Sequence, residues 1–233
     1  MPMELKYRPV DLLGVDPLSK LFVTPINEEY LNEGDCAWNA CGDVCLLLRL
    51  LISEDSGGRI ASVRVITPLA DYIMKKCGIS YTDLIDTALK NTKEKWPVYY
   101  VDVDKMLRTE SLEWNNMFTP LSDGLPEEKP LYLTINYGSR ITFGAGAVFH
   151  SGILKTVSEY YDSDLFITFT SIHEANVHPY DPEKVSPEAL LESLIGTHKE
   201  CVDETDFLSD KLYFYSRDMG YIREYFIEEV IPQ

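Results

Sequence analysis

The sequence predicts an α+β fold built from mixed or antiparallel sheets and packed helices, with room for two lobes. Strand-like segments with alternating apolar residues, such as 59–66, are interspersed with amphipathic helical segments such as 186–200. Neighbouring strands such as 165–170 and 174–178 are close enough to pair as a hairpin. Regular βαβ alternation is missing from this order of elements, which favours α+β over a parallel α/β sheet.

Charge restricts the classes of partner that this chain can bind. The 233 residues include 38 acidic and 21 basic side chains, for a net charge of -17. Such a surface repels phosphate backbones and anionic lipid headgroups, so we expect no direct binding of nucleic acid or membranes. The commonest role of such acidity is to keep the surface solvated; the alternative is an acidic face that binds a basic partner.

The apolar segments and the cysteines predict a cytoplasmic location. The start of the chain is polar and lacks the apolar stretch of a signal peptide. The longest apolar segment, 44–52, is too short to span a bilayer and contains Arg49. The five cysteines form no CxxC pair, and we expect reduced thiols rather than disulfides or a metal site. No nucleotide-binding motif is present, so no cofactor is predicted.

The first half of the chain is predicted to contain an irregular start followed by helices and strands. Asp35–Ile52 is apolar over much of its surface and is predicted to form a core helix capped by Asp35. The remaining predicted elements are a strand over 59–66, a helix from Thr67-Pro68 to Gly78, a second helix opened by a Ser80/Asp83 capping box and ending before Pro97, and a strand over 98–103.

The second half follows a proline-rich connection over 105–129. Its predicted elements are strands over 131–136 and 141–149, a helix over 152–161, strands over 165–170 and 174–178, a helix over 186–200, a strand over 211–216 and a docked tail over 221–231. Gly144 and Gly146 within a predicted strand indicate a bulge or a close backbone approach. The predicted organisation is one lobe over 1–104, a connection over 105–130 and a second lobe over 131–233, unless all form one compact domain.

A compact polar cluster, Ser171-Ile-His173-Glu174, follows the strong strand 165–170. Alternation places Ser171 and His173 on one face and Glu174 on the other. A histidine beside a hydroxyl or carboxylate can act as a general base, so His173, Glu174 and Ser171 are the candidate catalytic residues. A turn histidine that satisfies local backbone groups is the favoured alternative, so the sequence leaves open whether the chain is an enzyme and favours a non-catalytic role.

Other titratable residues give weaker candidates. We expect His150 to be half-buried, His178 to be exposed in a turn, and His198 to lie in the last turn of a helix. Cys36 lies at the start of the predicted helix, where the helix dipole lowers a thiol pKa. A nucleophilic Cys36 with His173 or His150 is an alternative that the sequence leaves open.

Acidic residues are concentrated near the C-terminal end. Asp203, Glu204, Asp206 and Asp210 are the candidate partner-binding residues, and tyrosines such as Tyr213 and Tyr215 follow closely. Exposed tyrosines among carboxylates suit a protein-binding face.

Nine short segments of the chain carry a resemblance when they are taken together in order. They are Val65-Ile-Thr67, Gly78 to Leu84, Ala88 to Thr92, Leu131 to Asn136, Gly144-Ala145, Asp164 to Ile167, Ser171 to Glu174, Leu208 to Asp210 and Tyr213 to Tyr215. Together they resemble an uncharacterised bacterial family of gut anaerobes and their mobile elements. Their order and spacing agree with the family over about residues 60–217. The family usually has Pro-Ser where this chain has Phe169-Thr170. The resemblance implies a shared fold and a mobile-element context, but no activity.

Two classes of function follow from these observations. The first is a non-catalytic acidic interaction factor, in its sharpest form a mobile-element accessory or anti-defence inhibitor that mimics nucleic acid and binds a basic nucleic-acid-handling protein. The second is a small hydrolase or transferase, or a ligand-sensing domain, with its site around His173. In the sensing alternative, the 105–129 connection would act as a lid.

Overall fold

Two antiparallel β-sheets form the framework of the protein. The computed structural model describes residues 13–14, 16–57, 59–108, 117–138, 141–181 and 183–227. Both sheets are accompanied by helices, so the α+β prediction is confirmed. Within these residues, no helix is both long and apolar enough to cross a membrane.

The first sheet is centred on one long strand. Its strands are β1 (Leu21–Asn27), β2 (Ala37–Cys41), β3 (Val44–Glu54) and β4 (Ile60–Arg64). β3 pairs with β1 along one edge and with β2 and β4 along the other. Helices α1 (Thr67–Cys77) and α2 (Tyr81–Lys95) cover one face of this sheet, where Leu48 joins Ile73 and Leu84 in a buried cluster.

The prediction of a helix over Asp35–Ile52 is wrong, because this segment forms β2, a turn and β3. Leu46 and Leu48 pack in the cluster with the helices, while Leu51 packs in the cluster on the other side. A strand buried on both faces appears in sequence as a continuous apolar run, which periodicity cannot distinguish from a buried helix. Asp35 therefore caps no such helix and instead pairs with Arg64 at 2.7 Å.

The capping signal of α2 is confirmed, whereas the N-cap of α1 is Ile66, with no side-chain hydrogen bond, and not the Thr67 that the sequence suggests. α1 begins at Thr67-Pro68 and ends at Gly78, whose φ of 69° is the left-handed conformation that glycine adopts without strain. At the start of α2, the Ser80 side chain accepts a hydrogen bond from the Asp83 amide, and the Asp83 carboxylate accepts one from the Ser80 amide. This reciprocal capping box satisfies amides that would otherwise lack partners.

The second sheet has seven strands. They are β5 (Tyr99–Asp102), β6 (Thr119–Pro120), β7 (Leu133–Asn136), β8 (Leu165–Ser171), β9 (Glu174–Pro179), β10 (Tyr213–Ser216) and β11 (Tyr221–Glu224), in the spatial order β11-β10-β8-β9-β7-β5-β6. β8 and β9 form the expected hairpin. The predicted tail is a strand at its start, and residues 228–231 of it lie outside the described residues.

The segment around the predicted connection contributes to this second sheet. β5 and β6 lie beside β7 at one edge of the sheet, and helix α3 (Val103–Arg108) follows β5 directly. Residues 109–116 of the connection lie outside the described residues. The division into lobes over 1–104 and 131–233 stays a prediction.

The remaining helices include one that replaces a predicted strand. α4 (Ile153–Tyr161) and α5 (Pro187–Cys201) confirm the expected helices, but Gly144–Phe149 forms a 3-10 helix and not part of a strand. The close approach predicted at Gly144 is confirmed, because a Cβ there would lie 2.2 Å from the His173 carbonyl oxygen. The small side chains of this segment allow its backbone to lie against the β8–β9 hairpin, where the Ala145 amide donates to the Ile172 carbonyl oxygen.

Candidate functional site

His173 lies in the turn of the β8–β9 hairpin and contacts two other segments. Its Nδ1 donates to the carbonyl oxygen of Thr142 at 2.7 Å, and its Nε2 lies 3.1 Å from a carboxylate oxygen of Asp206. The carbonyl can only accept, so Nδ1 carries a proton, and the contact with Asp206 is a hydrogen bond in the imidazolium form of the ring, in which Nε2 also donates. Nε2, the nitrogen that a general base would use, then faces a carboxylate and not an open site.

Ser171 and Glu174 have hydrogen-bond partners other than the His173 ring. The Ser171 hydroxyl accepts a hydrogen bond from the His173 amide at 3.1 Å, which is a local turn contact. The Glu174 carboxylate accepts from the Thr170 hydroxyl at 3.2 Å, and burial raises the pKa of Glu174. In the described part of the chain, no hydrogen bond joins either side chain to the His173 ring.

The structure brings two separately predicted sites together at Asp206. Besides the His173 contact, the Asp206 carbonyl oxygen accepts from the Ile172 amide at 2.8 Å, and its amide donates to the Asp203 carbonyl oxygen at 2.9 Å. This second hydrogen bond closes a turn over residues 203–206, which we call the acidic turn. Asp203 and Glu204 are exposed on it. Asp210 is also exposed but lies beyond the buried residues Leu208 and Ser209, so it is separate from the turn.

A cleft of about 490 Å³ lies beside the hairpin. Thr142 and Ile172, which flank His173 in space and in sequence, line the cleft, but His173 is not among the lining residues. Strands β1, β3 and β4 form the other wall, where Arg49 and Arg64 line the cleft, and Glu204 contributes from the acidic turn.

A buried polar cluster links the two sheets, and the sequence interpretation missed it. Asp43, in the β2–β3 turn, accepts hydrogen bonds from the hydroxyls of Ser209 and Tyr213 and, at 3.3 Å, from the Asn27 amide. We call these four residues the Asp43 cluster. Burial, with Asp43 adjacent, raises the pKa of Tyr213 well above its ordinary value.

The turn before Asp43 requires glycine. Gly42 has a φ of 51°, and a Cβ there would lie 2.9 Å from the Tyr213 ring. A Gly-Asp pair between two apolar segments is a turn signal that could have located this cluster. The helix predicted over the same residues concealed it.

Three expectations about other titratable residues are wrong. His150 is fully buried and its Nε2 lies 2.6 Å from the Tyr137 hydroxyl, while His178 is buried beside Tyr132 and not exposed. Burial lowers the pKa of both histidines to about 4. Cys36 begins no helix, and burial raises its thiol pKa, the opposite of activation.

His198 lies in the last turn of α5, as predicted, and its Nε2 donates to the Phe169 carbonyl oxygen at 3.1 Å. Among the described residues, no group of three or more acidic, histidine or cysteine side chains is arranged to hold a metal ion. Within the described residues, the contacts of His173 join the acidic turn to the hairpin.

The fold and these contacts define an α+β domain of two antiparallel sheets, with a cleft and an acidic turn beside one hairpin. Residues 18–217 match the model of a family of unknown function, DUF5688, and the chain belongs to that family. The match begins further towards the N-terminus than the resemblance over 60–217, so it also includes β1, β2 and β3. No curated protein and no solved structure matches the chain.

Proposed function

We propose that this protein is a non-catalytic interaction factor that presents an acidic surface to a basic protein partner. The observation that carries the proposal is the excess of 38 acidic over 21 basic residues, together with a carboxylate-bearing turn fixed to the hairpin at Asp206. Complementary charge steers encounter and selects partners by sign.

The acidic turn is held in place before any partner arrives. The backbone of Asp206 forms one hydrogen bond with Ile172 and another within the turn. The side chain of Asp206 contacts His173. Asp203 and Glu204 remain exposed beside it. A preordered surface loses less conformational entropy on binding, which favours affinity.

The catalytic alternative at His173, Glu174 and Ser171 has weaker support. General acid–base catalysis needs a side chain that can reach the substrate proton. The His173 ring is engaged at both nitrogens, and the other two side chains have local partners. This geometry favours binding over catalysis as the role of the hairpin.

A narrower form of the proposal concerns the identity of the partner. The resemblance to mobile-element proteins suggests an accessory or anti-defence factor in the cytoplasm that mimics nucleic acid. A basic nucleic-acid-handling protein would then be the partner. Binding dominated by surface charge weakens as salt screens it, over a Debye length of about 10 Å at 0.1 M.

The test is capture of host proteins on the immobilised full chain, identified by mass spectrometry and then titrated as purified proteins. We expect a basic protein that binds at low salt, is released at high salt and binds the double variant Asp203→Asn/Glu204→Gln at least tenfold more weakly. The matched control neutralises two exposed acids elsewhere, Glu127→Gln/Glu128→Gln. Affinity that is indifferent to salt, or lowered equally by both variants, would refute the acidic turn as the binding surface.

A further inference from the structure

Arg49 interrupts the apolar run of β3, and the proposed function assigns this basic residue no role. The strand is buried on both sides around it, with Leu48 and Leu50 under the helices and Leu47 exposed to less than one per cent. Placing a guanidinium in such a strand is costly unless the charge has a partner. The position therefore calls for an explanation.

The guanidinium of Arg49 is only partly satisfied. Its Nε donates to the Ser62 hydroxyl at 2.9 Å, but no salt bridge or other hydrogen bond reaches it from the described residues. Its two terminal nitrogens are not sealed off from solvent. Burial, and then the charge of Arg64, lowers the pKa of Arg49, while the charge of Asp35 acts in the opposite direction.

Arg64 stands directly across from Arg49 on the paired strand β4, so both side chains lie on one face of the sheet. Arg64 already has a carboxylate partner in Asp35 at 2.7 Å, whereas Arg49 has none among the described residues. Asp35 is thus occupied by Arg64, and Glu204, the carboxylate among the described lining residues of the cleft, forms no hydrogen bond with Arg49.

The rest of the cleft is largely apolar. The walls around the two arginines are formed by Pro25, Ile26, Leu47, Ile60, Phe143, Ile172 and Phe207. Thr24 and Thr142 add hydroxyls, and Glu204 adds a carboxylate at the acidic turn. A volume of about 490 Å³ is in the range of small-molecule sites, which combine apolar walls with few polar groups.

We propose that this cleft binds a small organic monocarboxylate, with its carboxylate on the Arg49 guanidinium and its apolar body along Ile60, Phe143 and Ile172. The planar guanidinium matches a carboxylate in a two-point hydrogen bond. One guanidinium without an ion pair among the described residues suits a monoanion. Glu204 and the net charge of -17 oppose a phosphate ester or other polyanion. The inference is independent of the acidic-surface proposal.

The test is a titration of the full chain with phenylacetate. Calorimetry and the chemical shifts of backbone amides monitor the binding. We expect binding with a Kd of about 1 mM, and shifts confined to cleft residues such as Ser62, Thr142 and Ile172. The neutral isostere phenylacetamide, acetate and inorganic phosphate are run beside it. Each should bind at least tenfold more weakly, because each lacks either the monocarboxylate or the apolar body.

Two cleft variants and a distant one locate the carboxylate. Arg49→Gln should weaken phenylacetate binding at least tenfold, while Arg49→Lys, which keeps charge but loses the planar fork, should weaken it less. Arg217→Gln removes an exposed arginine paired with Asp162 far along the chain and should leave the Kd unchanged. A thermal melt of each variant confirms that it is folded.

Several results would overturn the proposal. One is the absence of chemical-shift changes in the cleft with phenylacetate up to about 20 mM, a weak limit for a site of this size. The others are equal binding of phenylacetamide, tighter binding of inorganic phosphate, or unchanged affinity for phenylacetate in a folded Arg49→Gln variant. If Arg49→Gln does not fold, Arg49→Lys decides: undiminished affinity there contradicts a two-point guanidinium contact.

Discussion

Among the polar contacts between the segment 203–213 and the rest of the protein, two side-chain contacts differ in burial. The His173–Asp206 contact is open to solvent, with 39% and 35% of the side chains exposed. The Asp43 cluster is buried, with Asp43 at 7% and Ser209 at 0% exposure. Water competes for the first contact and not for the second. The contact of His173 with Asp206 should therefore contribute far less to stability than the Asp43 cluster.

Acid titration of the buried histidines should have the largest effect. The pKa of His150 and of His178 is lowered from 6.5 to about 4 by burial, so the unfolded chain binds protons more tightly. Stability is fully present above pH 6.5 and is lost as pH falls towards 4, by about 3 kcal/mol for each histidine. The raised pKa of Glu174 acts in the opposite direction and offsets part of the loss.

Urea unfolding at pH 7.5 and at pH 4.5 measures this dependence. His178→Phe, which keeps a ring beside Tyr132, should remove about half of it. An unchanged pH dependence in His178→Phe would mean that burial does not hold this histidine neutral, and the contrast between buried and exposed polar groups would lose its basis.

Truncating the carboxylate of the Asp43 cluster tests the contrast directly. Asp43→Ala leaves the Ser209 and Tyr213 hydroxyls and the Asn27 amide without their acceptor in a buried site. We expect the free energy of unfolding to fall by about 4 kcal/mol, measured by urea unfolding. Asp206→Ala is the matched control and should cost less than about 1 kcal/mol. Equal losses would erase the distinction between the two contacts.

A methyl group at Gly144 sharpens the comparison at the hairpin itself. Gly144→Ala places a Cβ 2.2 Å from the His173 carbonyl oxygen, so the backbone must shift, and we expect a loss of about 3 kcal/mol. Gly196→Ala is the control, since Gly196 lies within α5 with nothing within 4 Å of the added Cβ. It should stabilise the protein by about 0.5 to 1 kcal/mol. A harmless Gly144→Ala would show that the hairpin is loosely packed there.

His173→Ala should have the smallest effect. The contact with Asp206 is partly exposed, so we expect a loss below about 1 kcal/mol and a coupling energy with Asp206→Asn of about 0.5 kcal/mol. A double-mutant cycle in urea measures both. A coupling energy several times larger would mean that this exposed contact contributes to stability as strongly as the Asp43 cluster, and it would contradict the contrast between them.

The parts of the fold that the sequence predicts are those with local signals. The capping box at Ser80, the Thr67-Pro68 start and the alternation of 165–170 each act within a few residues. β3 could not be assigned from periodicity, because helices cover one face and the second sheet the other, and both faces are therefore apolar. The 3-10 helix at Gly144–Phe149 likewise depends on packing against a hairpin far along the chain.

The candidate site divides in the same way. Ser171, His173 and Glu174 were found because they are adjacent in sequence, and the turn contact between Ser171 and His173 is local. The pairing of His173 with Asp206 and the membership of the Asp43 cluster join segments distant in sequence. No spacing rule in a single sequence reveals such contacts, and Arg49 was visible as an interruption without any indication of the cleft that it faces.

The Asp43 cluster also has a consequence in time. Asp43 is separated from Ser209 by 166 residues and from Tyr213 by 170. At about 5 to 20 residues per second, a ribosome needs roughly 10 to 30 seconds to make that intervening length. During synthesis the carboxylate therefore stays hydrated in a first sheet that cannot yet close against the second. Asp43 becomes buried and gains its hydrogen bonds from Ser209 and Tyr213 only when the last part of the chain packs against the first sheet.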